Sequence, residues 1–193
     1  MSNGRKIANN QENPIDNHII EFSEHVSDPL IKIGFTPNMI TTIGTIFGIL
    51  TLYCIYIDKF IPAFIFFWLS YFMDCLDGFY ARKYKLYSKF GDYYDHIRDI
   101  IIFIFFTSLV FYKLKTKKEK IFFITVLIFT GFLAGVHMGC QEKNSSDTKH
   151  NDTINNLSKL CYDKSHIKYS RYLGMGTLNF VLSYFILYLN SQN

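Results

Sequence analysis

The chain has 193 residues, a length that suits one domain. Its net charge is only +4, and no basic stripe accompanies it, which excludes a nucleic-acid binder. Apolar residues make up 49% and aromatics 18% of the sequence. They gather into long, nearly charge-free blocks with the charges between them, which points away from an ordinary soluble domain and toward a chain partly solvated by lipid.

Residues 1–12 form a polar tail with no apolar signal region, so a later apolar block must direct membrane insertion. From Asn13 to Ile33 the residues Ile15, Ile19, Ile20, Phe22, Val26, Leu30 and Ile31 recur at helical spacing between charges. That pattern predicts an amphipathic helix over 13–36, lying on the membrane surface or packed on a bundle. Pro37 then opens the first of five apolar blocks, a position where proline is well tolerated. The blocks run from about Met39 to Ile57, Phe60 to Arg82, Gly91 to Tyr112, Ile121 to Cys140 and Tyr172 to Leu189. Each can cross ~30 Å of hydrocarbon as a helix, and no barrel-like alternation competes. The expected fold is therefore an all-α integral membrane protein: five transmembrane helices over 37–193, or six if the polar link Lys143 to Arg171 hides another.

That link holds three glycosylation sequons, at Asn144, Asn151 and Asn156, which arise readily by chance in an Asn-rich loop. The cysteines Cys54, Cys75, Cys140 and Cys161 are scattered, at no metal-ligand or redox spacing, and read as small hydrophobes. Gly44 with Gly48, and the ladder Gly131, Gly135 and Gly139, mark faces where helices can approach closely. Packing within the chain is the default use of these faces, and a homodimer is the sharper one. With the N-terminus in the cytoplasm, the inner segments carry thirteen lysines and arginines and the outer ones six. This orientation puts the N-terminus inside, although the five lysines from Lys113 to Lys120 oppose it.

Chemistry concentrates between Asp74 and Asp99. Asp74 and Asp77 are three residues apart and share a face at the end of the second block. Asp95 and Asp99, four apart, share a face at the start of the third. The short link Lys83 to Phe90 makes these helices antiparallel neighbours, so the two carboxylate pairs can converge. Asp77 and Asp99 lie roughly 7 and 12 Å inside their helix ends. Like charges at that depth need compensation, and hard divalent cations with oxygen ligands supply it. No cluster of His or Cys competes. Gly78, Ala81 and Gly91 are small enough to let a ligand near the backbone, and Arg82, with Lys83, Lys85 and Lys89, can bind phosphate oxygens.

Asp74, Asp77, Gly78, Ala81, Arg82, Gly91, Asp95 and Asp99 stand at the spacing of the CDP-alcohol phosphotransferase signature, and the segment resembles that family at every fixed position. The resemblance implies two divalent ions, magnesium or manganese, held by Asp74, Asp77, Asp95 and Asp99 against the diphosphate of a CDP-alcohol. It implies that Asp74, Gly78, Ala81, Arg82 and Gly91 line the CDP site and that Asp99 is the general base for an acceptor hydroxyl. One of the two substrates would be a lipid, CMP would leave, and the site would lie near the cytoplasmic face. Family members typically show six membrane helices, one more than the five read here. The donor would be either CDP-diacylglycerol, with a polar alcohol as acceptor, or CDP-choline or CDP-ethanolamine, with diacylglycerol as acceptor. A non-catalytic scaffold and a cation transporter are the readings from other classes.

Around the signature, Asp92 reads as a capping or surface residue and His96 as either a packing residue or a site neighbour. Arg98 could balance the carboxylates, bind lipid phosphate or form a structural ion pair. His137 reads as a helix-contact residue. Asn38 and Thr41 suit either nucleotide contact or capping and packing.

Overall fold

A computed structural model describes residues 4–145 and 157–192 of the protein, and among these the secondary structure is entirely helical. Helix α1 spans Pro14–Lys32. The long helices that follow are α2 (Pro37–Tyr56), α3 (Phe60–Tyr84), α4 (Lys89–Lys113) and α5 (Lys117–Asn144). Two short 3-10 turns and the four-residue α6 (Ile167–Ser170) lead through a further turn into α7 (Met175–Ser191).

Local signals fix these ends. Asn13 caps α1 by accepting from the Ile15 N–H at 3.0 Å, with Pro14 in the first turn. Thr36 caps α2 ahead of Pro37, and Ser88 caps α4 by accepting from Gly91 N–H at 2.9 Å. Thr116 and Glu119 form a reciprocal capping box on α5. Lys85 closes α3 in the left-handed conformation (φ 57°), which turns the chain back into α4 within four residues.

Among the described residues, four helices are long and apolar enough to cross a membrane: α2, α3, α5 and the run from Lys164 to Ser191 that contains α7. The remaining expected span, α4, is 25 residues long and lies along α2, but Asp95, Arg98 and Asp99 interrupt its apolar character. Between Lys143 and Arg171 the described residues form only short turns folded against the end of α5, with no sixth span among them. The outward faces carry Ile46, Ile65, Phe105, Phe129 and Phe180, all exposed, as a lipid-facing surface requires. The core lies in the half of the bundle away from the signature aspartates, where Ile55, Phe60, Phe106, Val110, Phe185 and Ile186 meet.

Helix α1 settles on the bundle. Its apolar stripe, Val26, Leu30 and Ile31, packs on Ile40, Leu76 and Tyr80 of α2 and α3. The polar segment before it is also fixed: Ile7 is buried against Cys140, Cys161 and Ile167, and Lys6 pairs with Glu142. Gly44 and Gly48 serve packing within the chain. A Cβ at Gly44 would come within 2.7 Å of Arg98 Nη2, and one at Gly48 within 3.2 Å of Ile102, so their absence brings α4 against α2. Gly139 likewise admits the returning chain, since a Cβ there would sit 2.2 Å from Leu157 O.

Two cysteines depart from the reading as small hydrophobes. Cys140 and Cys161 form a disulfide across 21 residues, while Cys54 and Cys75 are free. No local spacing announces this pair, because folding the segment after α5 back over the helix end brings the sulfurs together. Asn144 donates its amide nitrogen to Cys140 O (2.9 Å) and Lys164 O (3.1 Å), so that sequon is engaged in structure. Asn151 and Asn156 lie outside the described residues.

Candidate active site

The turn after α3 brings the carboxylates of α3 and α4 to one place, although the two helices are not packed as neighbours: each packs on α2, which lies between them. Asp74, Asp95 and Asp99 each offer an oxygen within 4.8 Å of the other two. Oxygens bound to one divalent ion at ~2.0–2.6 Å lie at most about 5 Å apart, so this spacing suits a shared ion. The donors are carboxylates alone, the hard set that magnesium or manganese prefers. Asp95 Oδ1 is buried and makes no hydrogen bond, leaving an acceptor free within the cluster.

Arg98 sits among these carboxylates. Its Nη1 donates to Asp74 Oδ1 at 2.8 Å and to Asp99 Oδ1 at 2.5 Å, and lies 3.9 Å from Asp95 Oδ1. Of the possible roles for Arg98, the geometry selects the partner of the aspartates. Asp99 has the most open side chain, 45% exposed against 27% for Asp74 and 26% for Asp95.

Asp77 stands apart from that trio. It is buried, and its Oδ2 accepts from the Thr41 hydroxyl at 2.6 Å. Thr41 thus positions a signature carboxylate from α2. Asn38 does not cap its helix; its Oδ1 lies where a Cβ on Gly91 would come within 2.7 Å. Arg82 extends along Gly78, where a Cβ would lie 3.2 Å from Nη1, and its Nε donates to Gly4 O at 2.8 Å. Ala81 sits one residue before it on α3. His96 turns its Nδ1 to the Asp92 carbonyl at 2.8 Å, one turn back on its own helix.

A cavity of ≈ 430 Å³ opens beside the cluster, with Asp74, Arg98 and Asp99 on its wall. Its other walls are mainly apolar, and Phe106 and Leu182 line it deeper in the bundle. Phe106 is seven residues beyond Asp99, or roughly 10 Å along α4. Thr51, Ser70, Tyr71 and Asn179 add polar atoms to this wall. The sequence alone does not mark them, because single hydroxyls and amides inside apolar helices carry no spacing signal.

The family model for CDP-alcohol phosphatidyltransferase matches residues 35–158. The chain belongs to the CDP-alcohol phosphatidyltransferase family. Among curated relatives, the archaetidylinositol phosphate synthase of Pyrococcus horikoshii is 37% identical over 76 residues. That stretch is 39% of this chain and 40% of the relative, so the chain matches well under half the length of that protein. No solved structure matches. Family membership accounts for the fixed spacing of the signature, and α1 lies outside the matched region.

Proposed function

We propose that the protein transfers a substituted phosphate from a CDP-alcohol to a second alcohol, releasing CMP, and that one of the two substrates is a lipid. The observation that carries this reading is the convergence of three signature carboxylates, two of them on the wall of a largely apolar cavity, inside a membrane bundle. A lipid tail can occupy the apolar walls while the polar reaction stays at the carboxylates.

Asp74, Asp95 and Asp99 would hold divalent magnesium or manganese, with Asp77 completing the set of signature ligands. When bound, such ions neutralise and polarise the diphosphate. The chain's own residues do the rest. Asp74, Gly78, Ala81, Arg82 and Gly91 bind the CDP part, the small residues admitting it close to the backbone and Arg82 contacting phosphate oxygens. Asp99, the most open carboxylate, takes the acceptor's proton from the hydroxyl that attacks the β-phosphorus. Positioning and charge neutralisation account for most of the catalysis of such transfers. We further infer that the domain over 37–193 carries the reaction, and that residues 4–12 and the helix within 13–36 pack against it. The basic residues support a site end facing the cytoplasm.

The test is CMP release by the purified protein in mixed micelles with magnesium or manganese. CDP-diacylglycerol is offered with polar alcohols, including inositol phosphate, and CDP-choline and CDP-ethanolamine with diacylglycerol. Release that depends on one acceptor, stops with chelator and returns with metal supports the reaction and names it. Activity indifferent to chelator removes the metal, and no release under any pairing despite substrate binding favours a scaffold.

A further inference from the structure

We propose that Arg98 is a built-in counter-cation of the aspartate cluster, exchanged for a divalent ion at Asp74 and Asp99 while Ser70 keeps hold of its other edge. This rests on the reading that the cluster binds metal.

One nitrogen carries the case. Arg98 Nη1 lies 2.8 Å from Asp74 Oδ1, 2.5 Å from Asp99 Oδ1 and 3.9 Å from Asp95 Oδ1, so it occupies the place common to all three carboxylates. An ion drawing on the same oxygens needs that place. The guanidinium cannot clear it by losing a proton, because arginine stays charged in proteins. It has to move.

The rest of the side chain is built for that. Only 5% of it is exposed. Its second terminal nitrogen, Nη2, donates to Ser70 Oγ at 3.1 Å and lies 3.4 Å from Ser70 O. Ser70 Oγ donates in turn to Gly44 O at 2.9 Å, so its position is fixed by α2. The missing side chain at Gly44 leaves room for Nη2. The Nη2 edge is therefore held by uncharged groups and the Nη1 edge by carboxylates alone. Nε is buried without an acceptor, so the present pose leaves a donor unused and is not a fully satisfied structural seat. At equal distance a divalent ion attracts each carboxylate twice as strongly as a guanidinium does. Metal therefore displaces Nη1, and Arg98 lowers the affinity of the resting protein for metal while keeping the carboxylates compensated inside the membrane without it.

The measurement uses the full chain in detergent, with Mn²⁺ alone as the probe. Binding is read from the free-ion paramagnetic resonance signal, and thermal unfolding is followed with chelator and with Mn²⁺. R98Q is expected to bind Mn²⁺ roughly tenfold or more tightly than wild type, to melt lower in chelator and to regain most of that loss with Mn²⁺. R98K keeps a charge but loses the fork, so its affinity falls between the two, and it carries the test if R98Q does not fold. Affinity in R98Q or R98K at or below wild type, with a stability loss that Mn²⁺ does not repair, overturns the exchange and leaves Arg98 a structural tether. Absence of Mn²⁺ binding in all three proteins while CMP release persists removes the metal reading itself, and this inference with it.

Discussion

Two buried polar clusters meet within one turn of α3, and they are built to opposite specifications. The first joins α1, α5 and α7 around Tyr71. Asn13 accepts from Ile15 N–H and donates to Arg171 O at 2.7 Å and to Thr177 Oγ1 at 2.9 Å. Asp16 accepts from Tyr71 Oη at 2.5 Å and from Gly176 N–H at 3.2 Å. Gln141 donates to Glu12 at 2.6 Å and lies 3.2 Å from Nε2 of fully buried His137, whose Nδ1 faces Ser170 Oγ. The second cluster, one turn on at Asp74, leaves Asp95 Oδ1 and Arg98 Nε without hydrogen-bond partners and puts Asp74, Arg98 and Asp99 on the wall of the cavity that Tyr71 also borders. Satisfied polar atoms hold helices together; unsatisfied ones beside a cavity wait for a ligand.

Substitutions in the two clusters should separate these roles. The largest effect is expected from Asp99→Asn, which should lower CMP release by about 10³-fold or more while binding of the CDP substrate survives. Equal loss of both would remove the base assignment. In the first cluster the loss should fall on stability instead. Asn13→Ala strands the Arg171 carbonyl, and Gly176→Ala drives a Cβ to 2.4 Å from Asp16 Oδ1. Each should destabilise by about 1–3 kcal/mol with the turnover of the folded fraction unchanged, read by thermal melts beside CMP release. If turnover per folded molecule collapses in either, the first cluster belongs to the site.

The smallest effect is a pH slope. Burial, with the Asp16 carboxylate nearby, pushes the Glu12 carboxyl up to about 7, against the pull of the Asn13 N–H, Arg82 and Lys6. The same burial, offset by the bonds from Tyr71 and Gly176, raises Asp16 to about 6. Folded Glu12 therefore keeps a proton that the unfolded chain releases above its ordinary value of 4.5. Its contribution is full below that value, declines as pH rises toward 7, and is flat beyond. Glu12→Gln should flatten that part of the melting-temperature profile, and an unchanged slope would show that Glu12 titrates normally.

The contrast also explains what could be read in advance. The aspartate cluster was legible because its members sit within 26 residues at helical spacing, so one turn and one reversal bring them together. Asp77 shares the signature spacing, yet its oxygen goes to Thr41, a contact set by how α2 packs on α3. The five apolar blocks matched helices within a few residues, since block length and caps are local properties. The first cluster was invisible: Glu12, Tyr71, Gln141 and Gly176 span most of the chain, and only tertiary packing collects them. The seat of Arg98 was hidden for a similar reason, because it depends on Ser70 and on the space left by Gly44.

The Cys140–Cys161 bond lies at the end of α5 that packs on the N-terminal segment, the same end of the bundle as Arg82 and the start of α4. Disulfides persist in oxidising compartments and are rare in the cytosol of most cells. Those two sulfurs are therefore a built-in reporter of sidedness. A bond intact in living cells would turn the reaction end toward the lumen or exterior, against the lysine count. A pair of free thiols in cells would keep it with the cytosolic supply of nucleotide-activated alcohols. The oxidation state of one pair of atoms thus tells from which side of the membrane the substrates must arrive.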